Sequence, residues 1–153
     1  MKFLVTKELE HNRLLALQVL LLTAVLTLFV FSDMILHHFQ IGLTTQKAIE
    51  TLLGNEEAFM EPMLFSALLE RIHIDIFISM ITLMLLVVIY IRLGKSRKNR
   101  VIHLAFISAI LAPVNLILAY FYGEIFVFLW LGFFILWHLC ALYFSSFIFK
   151  KLL

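Results

Sequence analysis

A chain of 153 residues in which 63% are hydrophobic and only 14% are charged has more apolar surface than a water-soluble fold of this length can bury. A bilayer must supply the missing apolar environment, which excludes a soluble globular domain. The single cysteine excludes an internal disulfide framework and a cysteine-based zinc site. The net charge of +2 is less informative than its distribution along the chain.

The first apolar run predicts a membrane-spanning helix over about residues 14–36. Between Leu14 and Ser32 this run has no charged residue. At 1.5 Å per residue the stretch spans roughly 28 Å, close to the ~30 Å hydrocarbon core of a bilayer. A cleavable signal peptide has a shorter apolar core of about 7–15 residues, so we expect a retained anchor.

Residues 37–69 form the one long connection, an acidic loop that we place on the outer side of the membrane. Within it, Thr44 or Thr45 is suited to begin a short helix and Gly54 to end it. That helix would present a single apolar face, made of Ala48, Ile49, Leu52 and Leu53. Such a face indicates a segment that lies on the membrane surface or folds back onto the rest of the protein.

Three further apolar runs predict spans over about residues 70–92, 101–122 and 125–149. The connection at 93–100 is strongly basic. A basic run between two apolar spans is typical of a cytoplasmic loop next to the membrane, and not of a nucleic-acid-binding segment. We therefore expect no nucleic-acid partner.

Lysine and arginine are distributed unequally between the two ends of the predicted spans. Ten of the twelve lie in the N-terminal segment, around the basic loop or at the C-terminus, and the positive-inside rule places these segments in the cytoplasm. We therefore predict an all-α membrane protein with one domain, an antiparallel bundle of four transmembrane helices. Both termini would be cytoplasmic, and the protein would be a multi-pass protein of a bacterial inner membrane.

Ionisable residues gather at the predicted outer ends of the first two spans. Asp33 and His37 are four residues apart and share a helix face, and Glu70 and His73 are three apart. Counted from the cytoplasmic boundary, His37 lies ~34 Å and His73 ~28 Å along their helices, so the two pairs share a level. Paired carboxylates and imidazoles can bind a divalent metal, and these four residues are candidate ligands.

Arg71 and Asp75 lie four residues apart on another face of the second span. We expect them to form an ion pair that anchors this helix at the lipid headgroups. Asp75 is a further candidate member of the outer group, because it lies at nearly the same level.

A b-type haem is the alternative ligand, with His73 and either His37 or His38 as its two axial ligands. His138 is a separate candidate for cofactor binding, because an ionisable residue near the middle of a span is costly unless it has a function. It would serve as a haem ligand, as an inner proton relay, or as a hydrogen-bond donor that joins two helices. The remaining alternative is that these residues line a wet interface and bind nothing.

Two resemblances accompany these residues. Histidines on each of the four spans resemble the pattern of the membrane cytochrome b subunits of respiratory enzymes, and this resemblance implies a single haem near the outer face. Leu68-Leu69-Glu70 followed by His73 is similar to the start of a helix in small uncharacterised bacterial four-helix membrane proteins. That similarity implies the fold and no activity.

Three classes of function are compatible with the sequence. The leading hypothesis is a small redox or respiratory-type membrane subunit that binds a b-type haem or a divalent metal near its outer face. The second is a subunit of a transporter or channel for divalent cations or protons, which with only four spans would form a homo-oligomer. The third is a structural or assembly protein with no ligand, whose outer loop binds a membrane-protein partner. No residue pattern identifies a catalytic residue.

Overall fold

The computed structural model describes residues 13–94 and 99–153 of the chain. Within these residues the helices are α1 (Arg13–Gln40), α2 (Thr45–Leu53), α3 (Phe65–Leu93), α4 (Asn99–Tyr122) and α5 (Glu124–Leu152). All except α2 are long and apolar enough to cross a bilayer. The prediction of an all-helical protein with four spans is confirmed.

The helices are longer than the apolar runs alone indicated. α1 continues beyond residue 36 to Gln40, and α3 begins at Phe65 rather than near residue 70. The apolar residues that precede Glu70 extend the helix upstream, so that Glu70 lies within the helix and not at its start. Most of the predicted basic loop, at residues 95–98, lies outside the described residues. The four spans found among the described residues place Arg13 and Leu153 on the same side of the bilayer, and the cytoplasmic identity of that side stays a prediction.

The short helix α2 folds back onto the bundle. Thr44 precedes its first turn, and Gly54 ends it with a φ of 83° that favours glycine. The side chains of Ala48 and Leu52 are fully buried, and α2 contacts both α4 and α5. The predicted boundaries of α2 are confirmed. We had predicted that α2 lies either on the membrane surface or against the rest of the protein, and the structure shows it against the bundle.

The α4–α5 hairpin forms the centre of the bundle and has the most extensive contact between any two of the described helices. α4 turns small residues inward, namely Ala105, Ala109, Ala112 and Ala119. α5 buries large aromatic ones, namely Trp130, Phe134, Trp137 and Phe144. Small residues allow two helix backbones to approach closely, which favours association in lipid. α3 packs against both helices of the hairpin.

α1 packs against α5 and α3 but has little buried surface. Its buried residues are Thr23, Leu26, Val30 and His37, and most of its leucines are exposed. α1 is also staggered relative to α5, because Asp33 on α1 contacts His138 on α5. About 30 Å of helix separates Asp33 from Arg13, whereas about 18 Å separates His138 from Lys150. This stagger determines which polar residues meet.

Candidate functional site

Five ionisable side chains from three helices meet inside the bundle. They are Asp33 and His37 on α1, Arg71 and Asp75 on α3, and His138 on α5. We refer to these five residues as the polar cluster. Both imidazoles have only 1% of their side-chain surface exposed, and the other three side chains have between 11% and 15% exposed.

Carboxylates and imidazoles alternate along one line through the cluster. Oδ2 of Asp75 lies 3.1 Å from Nε2 of His37, and Nδ1 of His37 lies 3.4 Å from Oδ1 of Asp33. Oδ2 of Asp33 then lies 3.2 Å from Nε2 of His138. The first contact is a hydrogen bond, and the other two are at ion-pair distance. The line runs from α3 through α1 to α5, so α1 supplies its two middle groups.

Each imidazole also has a backbone carbonyl as a neighbour. Nδ1 of His138 lies 2.7 Å from the carbonyl oxygen of Phe134, and Nδ1 of His37 lies 3.0 Å from that of Asp33. A carbonyl oxygen only accepts hydrogen bonds, so Nδ1 of His138 carries a hydrogen. Nδ1 of His37 lies between its carbonyl acceptor and a donor nitrogen of Arg71, which is 2.7 Å away. Nε2 of each ring faces a carboxylate oxygen.

Arg71 supplies the one permanent positive charge of the cluster. Its Nε lies 3.0 Å from Oδ1 of Asp75, and one of its terminal nitrogens lies 3.5 Å from Oδ1 of Asp33. The same nitrogen lies 2.7 Å from Nδ1 of His37, while the other donates a hydrogen bond to the side chain of Gln40. The predicted ion pair between Arg71 and Asp75 is confirmed. Both residues lie on α3, and their contacts with Asp33 and His37 join α3 to α1, although we had expected the pair to lie at the lipid headgroups.

Aromatic rings enclose the two imidazoles on the α5 side. The ring of Phe134 lies 4.3 Å from that of His37 and 4.2 Å from that of His138, and the ring of Trp137 lies 3.8 Å from that of His138. A small cavity beside them is lined by Asp33, His37 and other side chains. It has room for about one water molecule. Because few water molecules enter this apolar enclosure, the electrostatic contacts among the five residues are stronger than they would be in water.

The structure brings together only part of the predicted site. Asp33 and His37 meet, as the metal and haem hypotheses required, but His38, Glu70 and His73 are exposed. His73 lies on the opposite face of α3 from Arg71 and Asp75, because residues two apart on a helix point in nearly opposite directions. His73 therefore does not face His37. Glu70 is exposed beside Arg71.

His138 belongs to the polar cluster, although the sequence placed it at a separate level near mid-membrane. The prediction counted depth along each helix as if all helices ended in the same two planes, and the stagger of α1 invalidates that assumption. Its Nδ1 donates within α5 to the carbonyl of Phe134, and its contact with a neighbouring helix is the ion pair of its Nε2 with Asp33 on α1.

One sequence signal does identify the correct face of α3. Arg71, Asp75, Ser79 and Thr82 recur at intervals of three or four residues, so they share one side of the helix. Ser79 and Thr82 are both buried. A polar stripe of this kind on an apolar helix indicates the side that faces other helices and not lipid.

The fold and the cluster together define a multi-pass membrane protein whose helical bundle contains buried ionisable side chains. Residues 42–153 match Aq_1264_TM, a family described as a transmembrane helical domain, and the chain belongs to this family. No curated protein and no solved structure matches the chain. The matched region contains Arg71, Asp75 and His138, whereas α1 with Asp33 and His37 precedes it. The family description names no haem, so the resemblance to cytochrome b subunits stays a prediction.

Proposed function

We propose that the protein is a proton channel or proton-coupled transporter subunit in which the polar cluster passes protons across the middle of the membrane. The observation that carries this proposal is the line of alternating groups from Asp75 through His37 and Asp33 to His138, with contacts of 3.1, 3.4 and 3.2 Å. Chains of Asp, Glu and His inside a membrane mark proton relays in pumps and transporters.

The alternation suits proton transfer for a chemical reason. An imidazole can accept a proton at one ring nitrogen and release another from the opposite nitrogen, while a carboxylate accepts and releases through either oxygen. Each contact in the line is short enough that a modest side-chain rotation aligns it as a hydrogen bond. His37, which lies between two carboxylates, and Asp33, which lies between two imidazoles, can therefore hand a proton from α3 to α5.

Polar side chains continue from both ends of the cluster. Toward the α2 side, Arg71 contacts Gln40, whose side chain is exposed. Toward the chain ends, Ser79, Thr82 and Ser145 are buried in the bundle below the cluster. The hydroxyl of Ser145 has no hydrogen-bond partner among the described residues, so it is free to bind a transient water. These groups support a path that reaches beyond the five clustered residues.

The geometry favours proton transfer over the haem hypothesis. A haem held by His37 and His73 would need His73 to turn inward and His37 to give up its contacts with Asp75 and Arg71. The cavity beside His37 has room for about one water molecule and not for a porphyrin. The redox hypothesis therefore stays a prediction without geometric support. For the proposed function we keep the bacterial inner membrane as the location and the α2 side as the outer side.

Proton flux into liposomes tests the proposed function. The purified full-length protein is reconstituted with a pH-sensitive dye inside, and a potassium gradient with valinomycin drives proton entry. We expect acidification well above that of protein-free liposomes. Asp33→Asn keeps the size of the side chain but removes its charge, and should lower the flux by about tenfold or more.

His103→Gln is the matched control, because His103 is an exposed histidine on α4 outside the cluster. Its flux should equal that of the wild type. Circular dichroism confirms that both variants keep their helices. Wild-type flux no higher than that of empty liposomes, or equal flux in Asp33→Asn, would contradict the proposal.

A further inference from the structure

The guanidinium of Arg71 occupies a position that suits a metal cation. One of its terminal nitrogens lies 2.7 Å from Nδ1 of His37 and 3.5 Å from Oδ1 of Asp33, and its Nε lies 3.0 Å from Asp75. We propose that Asp33, His37 and Asp75 form a binding site for a divalent transition-metal ion of the Zn²⁺ type, which enters as Arg71 withdraws. The proposal uses the cluster of the proposed function but does not depend on proton conduction.

The three residues have the chemistry and the spacing of a metal site. Each offers one ligand atom, and these atoms all lie within 4.8 Å of one another. Ligands of a tetrahedral Zn²⁺ ion at about 2.1 Å lie about 3.4 Å apart, so the ligand atoms must close by at most about 1.4 Å. An imidazole nitrogen with two carboxylate oxygens suits Zn²⁺ or a similar transition metal better than Ca²⁺ or Mg²⁺, which prefer oxygen ligands only.

His138 supplies an independent indication of a ligand. Its Nε2 has no hydrogen-bond partner among the described residues, although only 1% of the side chain is exposed. The same atom points toward the site and lies 3.2 Å from Oδ2 of Asp33. A buried imidazole nitrogen at this place, with an ion-pair contact to Asp33 but no hydrogen bond, would become the fourth ligand or would orient Asp33 as a ligand.

The charges of the cluster also favour a divalent ion. Asp33 and Asp75 together carry two negative charges, and Arg71 balances only one of them. A divalent ion balances both carboxylates at once and takes the place of Arg71, so the charges of the site favour a divalent over a monovalent cation.

Arg71 has a route out of the site. Its second terminal nitrogen already bonds to Gln40, and the side chain of Gln40 is exposed on the α2 side. Glu70, the neighbour of Arg71 on α3, is exposed as well. A rotation of the long arginine side chain toward these two residues vacates the centre of the site without moving through the apolar core.

Calorimetry on the purified full-length protein in detergent tests the metal site. Zn²⁺ is titrated into chelator-treated protein, which yields the affinity and the stoichiometry of binding. We expect one ion per chain. Asp75→Asn should weaken binding by about tenfold or more. Arg71→Gln should tighten it, because the competing cation is gone.

Glu61→Gln is the matched control for the loss of a carboxylate, because Glu61 is exposed in the loop between α2 and α3, and it should bind Zn²⁺ like the wild type. If Arg71→Gln fails to fold, the visible spectrum of Co²⁺ bound to the wild type and to Asp75→Asn shows whether a metal ion binds at this site. A tetrahedral Co²⁺ spectrum that is lost in Asp75→Asn supports the site.

Absence of stoichiometric binding, or equal affinity in Asp75→Asn, would overturn the metal site whatever the liposomes show. Proton flux without metal binding would leave the proposed function intact. Metal binding without flux would refute the proposed function and leave the metal site intact. The two proposals therefore fail separately.

Discussion

The α4–α5 hairpin and the helix α1 are held in the same bundle by different forces. The hairpin buries a row of alanines on one helix and a row of aromatic rings on the other. α1 buries few side chains and makes its charged contacts through Asp33 and His37. The hairpin is held together by the close packing of its side chains, whereas α1 is attached to the bundle by charged contacts.

The two kinds of attachment differ because lipid, and not water, surrounds the helices. In lipid, apolar side chains gain little by leaving the hydrocarbon, so helices associate through close packing or through polar contacts. The small side chains of α4 allow close packing, whereas the exposed leucines of α1 suit lipid. α1 therefore needs the polar cluster to hold it, and the cluster needs α1 for its two middle groups. Four substitutions, each described below, can break or sharpen this contrast.

Asp33→Leu should have the largest effect, because Asp33 joins α1 to both α3 and α5. The change leaves His138 without its acidic neighbour and removes one carboxylate from Arg71. Loss of one partner from a buried charge pair costs about 3–5 kcal/mol. We expect a loss of this size in the free energy of unfolding, measured by titration with a denaturing detergent.

Ser32→Leu, at the exposed neighbouring position on α1, is the control for Asp33→Leu and should leave the free energy of unfolding nearly unchanged. If Asp33→Leu were as stable as this control, the charged contacts would not be what holds α1 in the bundle.

Ala109→Phe tests the close packing of the hairpin and should lower the free energy of unfolding by a smaller amount. Ala109 is 1% exposed within the alanine row of α4, and a ring at this position pushes α4 away from its neighbours. Overpacking of this kind costs about 1–3 kcal/mol. Val114→Phe adds the same ring on an exposed face of α4 and should cost little in the same unfolding titration. Equal stability of the two variants would argue against close packing as the force in the hairpin.

Gly→Ala changes at two sites should have the smallest effects, with opposite signs. Gly123 has a φ of 92° in the turn between α4 and α5, and an added Cβ would meet no atom within 4 Å. Gly123→Ala should therefore destabilise by backbone strain alone, by about 1–2 kcal/mol. Gly132 lies inside α5 and also has open space around it, so Gly132→Ala should stabilise by about 0.5–1 kcal/mol. If the unfolding titration showed both variants to be destabilised, or both to be stabilised, the backbone conformation of the two glycines would not explain the effects.

Most of the fold could be predicted from the sequence, because span length and hydropathy are local properties. The four spans follow from apolar runs, and the boundaries of α2 follow from Thr44 and Gly54. The start of α3 could not be placed in the same way. Glu70 and Arg71 suggested a membrane boundary, but the apolar residues before them continue the helix to Phe65.

The candidate site could be predicted only in part, because it depends on how helices are rotated and staggered. The pairs at a spacing of four, Asp33 with His37 and Arg71 with Asp75, are visible in the sequence and do form contacts. That they meet each other and His138 follows from the stagger of α1, which no local pattern records. The polar stripe on α3 was the one available indication.

The two tryptophans of the chain both lie against the polar cluster. The ring of Trp130 lies 6.4 Å from that of His37, and the ring of Trp137 lies 3.8 Å from that of His138. A protonated imidazole quenches indole fluorescence more strongly than a neutral one does. The native ultraviolet emission of the protein therefore comes from the immediate surroundings of both histidines. An unlabelled sample thus contains an optical sensor for their protonation.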